Sequence, residues 1–215
     1  MTADPLAVEA ALRSLFPAGV AVAVEPILPA SATRLWPEEK PAIAGAVPAR
    51  LAEFVAGRTA ARRALSRLDR LPQALPMARD RAPIWPEGIS GSIAHAAGLA
   101  LAVVREGPPI GVDIEDDSAI APDLWPVLCG PEELARLGPD PGTEVKRLFC
   151  AKEAVFKAQA PHSRAMFGHE ILSVTLAGNR FDAQFQTDAG AFRAGQIVRG
   201  RIVVAGGLVL AGVAI

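Results

Sequence analysis

The chain has 215 residues, 51% of them hydrophobic, with a net charge of -1 and a pI near 6.3. That length accommodates one large domain or two of about 100 residues each, with a substantial buried core. The near-neutral charge excludes a general nucleic-acid binder or a polybasic membrane-surface protein, both of which need an electropositive field, so any cationic site is local.

Leu6 to Phe16 predicts a short helix, with Asp4 as its cap and Pro5 at its first position. Val20 to Val24 reads as a short strand, followed by a proline-marked stretch from Pro26 to Pro48. The strongest helical pattern is Pro48 to Leu68, where Leu51, Phe54, Val55, Ala61, Leu65 and Leu68 share one broad face at 100° per residue. Arg58 and Arg62 project from the middle of that face. A guanidinium in a buried stripe needs a carboxylate, solvent or an anionic ligand, and both an internal salt bridge and a ligand satisfy that need. Pro72 to Pro86 is irregular, with Arg79 and Arg81 flanking Asp80.

Gly88-Ile-Ser-Gly-Ser-Ile-Ala-His95 reads as a turn that presents an imidazole or backbone amides to an anion, or holds His95 as a structural residue. Leu99 to Val104 is a buried strand, Glu106 to Pro109 a turn, and Ile110 to Glu115 another strand. Pro131 to Leu137 predicts a short helix, and Thr143 to Gln159 a longer one capped by Thr143. Ile171 to Leu176, Arg180 to Gln186, Gln196 to Val204 and Leu208 to Val213 alternate as strands. The apolar run Ile202 to Ile215 has 14 residues with three glycines, too short to span a bilayer, and reads as a buried hairpin. The expected fold class is α+β, helices on small antiparallel sheets, in two halves: 1–105 and 106–215. The Met-Thr-Ala-Asp-Pro start is no signal peptide, and Cys129 and Cys150 match no metal or disulfide pattern, which predicts a free-thiol cytoplasmic protein.

Two segments concentrate the chemistry. In Gly111-Val-Asp113-Ile-Glu115, strand alternation puts both carboxylates on one face, where they repel unless a cation lies between them. Magnesium suits such a pair, although in isolation an Asp-x-Glu pair is more often a solvated strand face. In Phe149-Cys-Ala-Lys152-Glu153-Ala-Val-Phe-Lys157-Ala158, Glu153 and Lys157 are helix neighbours. Taken alone they form a surface ion pair contributing about 0.3 to 0.5 kcal/mol. Lys152 lies near the apolar side and suits a phosphate. His162 and His169 carry no ligand spacing and are given no role.

Jointly these segments resemble the signature of the 4'-phosphopantetheinyl transferase superfamily, a Gly-x-Asp-x-Glu strand followed by a Phe-x-x-Lys-Glu-Ala-x-x-Lys-Ala helix. Upstream, Arg50-Leu-Ala-Glu-Phe-Val-Ala-Gly-Arg58-Thr-Ala-Ala-Arg62, Ala82-Pro-Ile-Trp-Pro-Glu-Gly88 and Gly91-Ser-Ile-Ala-His95 resemble the enterobactin synthetase component D branch of that family. The resemblance runs from about Arg50 to Ala158, and the length is similar to that of the monomeric double-domain members.

The resemblance implies a pseudo-twofold pair of α+β halves with coenzyme A between them, and transfer of its 4'-phosphopantetheine arm to a serine of an apo acyl, peptidyl or aryl carrier protein. Siderophore or other nonribosomal peptide synthesis is the implied setting. It implies Asp113, Glu115 and Glu153 as ligands of Mg2+, with Mn2+ as an alternative, and Lys157 on the leaving phosphate. Glu153 would accept the serine proton directly or through a water. Arg58, Arg62, Arg81 and His95 match the phosphate contacts, with Asp113, Lys152 and Lys157 also on the coenzyme A side. Where the family has Ser-x-Ser-His this chain has Ser92-Ile-Ala94-His95, so a hydroxyl is lost and some coenzyme A affinity with it. The competing readings are a coenzyme A or carrier-protein binding module and a magnesium-dependent nucleotide hydrolase; the second lacks a GxxxxGK[ST] loop.

Overall fold

The computed structural model describes residues 3–163 and 168–215. Helix α1 (Pro5–Ser14) starts as predicted, with Asp4 Oδ1 accepting the Leu6 N–H at 3.1 Å and Pro5 at the first position. Strand β1 (Ala21–Pro26) follows, then two 3-10 segments, Ala32–Arg34 and Pro37–Ile43, inside the proline-marked stretch. Helix α2 (Pro48–Ser66) leads to strands β2 (Ile89–Ala96), β3 (Leu99–Glu106) and β4 (Ile110–Asp116). Two single-turn helices, α3 (Trp125–Leu128) and α4 (Pro131–Leu134), precede the long α5 (Pro141–Ser163). Strands β5 (Leu172–Ala177), β6 (Arg180–Phe185), β7 (Ile197–Ala205) and β8 (Leu208–Ala214) complete the chain.

Every strand pairing is antiparallel, in a three-stranded sheet of order β1-β3-β2 and a five-stranded sheet of order β4-β8-β7-β6-β5. Helix α2 packs on the first sheet and α5 on the second, so the α+β expectation holds. The apolar run near the C-terminus is the β7–β8 hairpin, turned at Gly206 and Gly207 with φ of 60° and 77°. No helix among the described residues is long and apolar enough to cross a membrane.

Two local expectations are corrected. The segment before His95 is not a turn but the pairing strand β2, running from Ile89 opposite Glu106 to Ala96 opposite Leu99; its Gly and Ser residues imitate a loop, but Ile89, Ser92 and Ala94 are buried. The turn falls one step later, at Ala97 and Gly98, with φ of 49° and 79°. Thr143 does not cap α5, which begins at Pro141. Its hydroxyl donates to Asp140 O at 3.2 Å, while Glu144 Oε2 accepts the Gly138 N–H at 2.7 Å.

One apolar cluster joins the two halves: Val8 and Leu12 of α1, Val24 of β1, Leu101 of β3, Val112 and Ile114 of β4, and Leu210 of β8. Strand β4 also lies alongside β2, where the Val112 N–H donates to Ser92 Oγ at 3.2 Å. That seam brings the carboxylate strand beside the strand carrying His95.

Candidate active site

The two sequence segments meet through a residue that has no side chain. A Cβ at Gly111 would lie 2.0 Å from Ala154 O and 2.6 Å from Ala158 N, so β4 and α5 approach backbone to backbone only because glycine faces two alanines. Two residues along the strand, on the same face, Asp113 then meets Lys157, whose Nζ donates to Oδ1 at 2.5 Å. Val112 and Ile114 point the other way, into the cluster shared with α1. Asp113 is 4% exposed, and its Oδ2 is buried without a hydrogen-bond partner. A buried carboxylate oxygen left alone is costly and is a place for a cation.

Charge is concentrated here. Burial, then the charge of Asp113, holds the Glu115 carboxyl above its usual range, with Lys146 partly offsetting. Burial also raises Glu153; Lys157 opposes this, and Asp113 and Glu115 add to it. Burial pulls the Lys157 ammonium down, but the charge and hydrogen bond of Asp113, with Glu153, outweigh it and hold Lys157 above its usual value. The buried Cys150, one turn before Ala154, is pushed well up by burial and by Asp113, and so stays a neutral thiol.

Among the described residues no three His, Cys, Asp or Glu side chains are gathered closely enough to enclose a metal ion. Each carboxylate has another partner: Asp113 holds Lys157, Glu115 Oε2 lies 3.6 Å from Lys146, and Glu153 Oε1 lies 3.9 Å from His169 Nδ1. The donor set nevertheless fits a hard divalent cation, being all oxygen, partly buried, and provided with one unpartnered oxygen at the buried Asp113.

A cavity of about 130 Å³ lies between α2, β2 and the segment 77–83. Arg50, Arg58, Arg81 and His95 line it with one carboxylate, Glu53, and the apolar Phe54 and Ile93. Arg58 is 4% exposed, lies over the Phe54 ring at 4.2 Å from its centroid, and donates from Nε to Leu75 O at 2.7 Å. Burial pushes its guanidinium down to about 10, so it is still charged at neutral pH. Arg81 is placed by a left-handed backbone, φ 68°, at the end of a small hairpin closed between Met77 and Pro83. His95 Nε2 lies 3.2 Å from Arg50 Nη1 and 3.7 Å from Glu53 Oε2. Burial draws the imidazole below its usual value, with Glu53 opposing and Arg50 adding to the effect, and its strand β2 lies beside β4, which carries Asp113 and Glu115.

Sequence reasoning thus named Arg58, Arg81 and His95 in the cavity, and Asp113, Glu115, Glu153 and Lys157 beside it. It assigned no role to Arg50, which the i, i+4, i+8 series Arg50–Phe54–Arg58 places on the cavity face. Two proposed phosphate contacts sit elsewhere. Lys152 is a correction: at 1% exposure, its ammonium is spent on Glu133 Oε2 at 2.6 Å, Leu128 O at 2.8 Å and His169 O at 3.1 Å. One position from Glu153, it points to a different side of α5, and it ties α3, α4 and the segment before β5 to the helix. Arg62 is the internal salt bridge that the sequence left open, donating to the fully buried Glu39 at 2.6 Å. Glu39 also accepts the N–H groups of Leu75 and Trp36. Ala94 is packed in the apolar cluster while its neighbours Ile93 and His95 line the cavity, so its methyl stands in the core rather than among the cationic groups. His169 stacks edge-on against Phe149 at 5.2 Å, and His162 falls in the last turn of α5.

Fold and site together define a class: an α+β enzyme that sets carboxylates and a lysine beside a cation-lined cavity, suited to transferring a group from a phosphorylated donor. Family models match both halves, "4'-phosphopantetheinyl transferase N-terminal domain" over residues 38–105 and "4'-phosphopantetheinyl transferase superfamily" over residues 109–204. The chain is 35% identical to 4'-phosphopantetheinyl transferase Svp of Streptomyces mobaraensis, over 79% of this chain and 68% of that protein. It is 32% identical to 4'-phosphopantetheinyl transferase PptT of Mycobacterium tuberculosis, over 81% and 83%. With enterobactin synthase component D of Salmonella typhimurium it shares 37% identity over 58% and 54%. The chain belongs to the 4'-phosphopantetheinyl transferase superfamily.

Proposed function

We propose that the chain moves the 4'-phosphopantetheine group of coenzyme A onto a serine hydroxyl of an apo carrier protein and releases adenosine 3',5'-bisphosphate. The observation that supports this reading is the Gly111 contact, by which β4 brings Asp113, with its unpartnered oxygen, to Lys157 of α5, on the strand beside the one whose His95 lines the cavity of Arg50, Arg58 and Arg81. Coenzyme A needs both parts: cations for its 3'-phosphate, and a centre for its pyrophosphate.

In this reading Asp113, Glu115 and Glu153 hold Mg2+ or Mn2+, which when bound neutralises charge on the pyrophosphate. Arg58, Arg81 and His95 orient the 3'-phosphate, and Arg50 joins them. The serine oxygen attacks the phosphorus that carries the pantetheine arm, and the bridging P–O bond to the adenosine side breaks in line. Glu153 accepts the serine proton; burial and the neighbouring carboxylates raise its carboxyl range, which makes it a better base than a surface glutamate. Lys157, kept charged by Asp113, stabilises or protonates the departing phosphate.

The carrier is of the acyl, peptidyl or aryl kind, and the region shared with enterobactin synthase component D supports service to a siderophore-type nonribosomal peptide synthetase. Both family models match within one chain, as in the double-domain members it resembles, which supports a monomer, and the two free buried cysteines suit the cytoplasm. Incubation with apo carrier, coenzyme A and Mg2+ is expected to add the mass of one phosphopantetheine arm to the carrier. No mass gain on acyl, peptidyl or aryl carriers would sink the assignment.

A further inference from the structure

The face of α5 that turns toward β4 carries a second lysine that neither sequence motif includes. Lys146 lies in register with Cys150, Glu153 and Lys157, and its side chain is only 12% exposed. Its Nζ is shared between two carboxylates, 3.6 Å from Glu115 Oε2 and 3.4 Å from Asp116 Oδ1. Lys157 is thus hydrogen-bonded to Asp113, and Lys146 lies between Glu115 and Asp116, slightly nearer Asp116, in a centre that gathers no three metal donors among the described residues.

Asp116 is a prepared alternative partner. Its Oδ1 accepts the Ser118 N–H at 3.1 Å and the Ser118 hydroxyl, which fix the carboxylate beside the lysine. The next helix residue, Arg147, grips Asp117 with contacts of 3.2 to 3.3 Å, so the backbone at the end of β4 is held independently of where Lys146 goes.

We propose that Lys146 stands in for the divalent cation at Glu115 in the metal-free protein and is handed to Asp116 when the cation binds. This rests on the reading of Glu115 as a metal ligand. An ammonium 3.6 Å from Glu115 Oε2 repels a divalent cation arriving at that carboxylate, and Asp116, already at 3.4 Å, lets the lysine yield without becoming an unpaired, nearly buried charge. Lys146 is thus a positioning residue that sets metal affinity.

The test is Mn2+ binding to the full-length protein without coenzyme A, followed by the free-ion electron paramagnetic resonance signal. Lys146→Gln is expected to tighten Mn2+ binding on the order of fivefold, as removal of one partly screened like charge requires. Lys146→Arg, which keeps the charge, should retain the wild-type constant and also reports on folding. Asp116→Asn should weaken binding in the wild type and do so less in the Lys146→Gln background, because its main effect passes through the lysine. Unchanged or weaker binding in Lys146→Gln, with Asp113→Asn abolishing it, overturns this inference alone. A wild-type protein that binds no Mn2+ overturns the metal assignment as well.

Discussion

The charged form of Glu153 opposes folding, since burial first, and then Asp113 and Glu115, hold its carboxyl above the usual range. The sign follows from linkage: this cost is absent below the unfolded carboxylate range, grows as pH rises toward the raised value, and is fully present above it. Glu153→Gln is therefore expected to melt at a higher temperature than wild type at pH 8 in chelator, and the gap should close near pH 4. The same variant should lose about a hundredfold or more in transfer rate, the usual contribution of a general base. A variant that melts lower at pH 8 would remove Glu153 from the carboxylate cluster. At the other end of the site, Arg58→Ala is expected to raise KM for coenzyme A about tenfold or more, as loss of a charged hydrogen bond implies, and to spare dephospho-coenzyme A. Equal changes with both donors would move Arg58 off the 3'-phosphate.

Between elements, the site depends on how closely β4 and α5 approach. The obstacles to a side chain at Gly111 are backbone atoms of Ala154 and Ala158, which cannot turn aside as a flexible side chain would. Gly111→Ala is expected to destabilise the fold by about 3 kcal/mol or more in urea denaturation and to separate Asp113 from Lys157. Wild-type stability would show that the helix can shift without cost. The same helix is fixed along its other side by the buried Lys152–Glu133 pair, in which Glu133 also accepts the Val174 N–H at 2.7 Å and the Gly130 N–H at 2.8 Å. Apart from the Gly130 N–H, the partners of that pair come from segments remote in sequence, which is why Lys152 resembles a ligand lysine when its own segment is read alone.

At the scale of the molecule, α1, β1 and β3 share one apolar cluster with β4 and β8, so each half on its own would expose a face that the other covers. Calorimetry of the full chain is expected to give one cooperative transition, and residues 1–105 or 106–215 expressed alone should give none. Two separated transitions would argue for independent domains. Most strands and both long helices were legible beforehand, because alternation and a 3.6-residue period are local consequences of which face is buried. The β2 segment reads as a turn in the sequence because its Gly and Ser residues carry no apolar alternation; its partner β3 supplies the order. In the site, the carboxylates, Glu153 and Lys157 could be named from two motifs, since residue type and spacing on one strand or helix fix which side chains share a face. The partners of Arg62, Lys152 and Lys146 could not, for Glu39, Glu133 and Asp116 reach them across 19 to 30 residues of chain or from separate elements. Sequence alone determined the kind of chemistry and the elements that bear it. Only the tertiary structure decided which cations face a ligand and which are neutralised inside the fold, because a charge is satisfied by whatever lies within a few ångströms of it, at any distance along the chain.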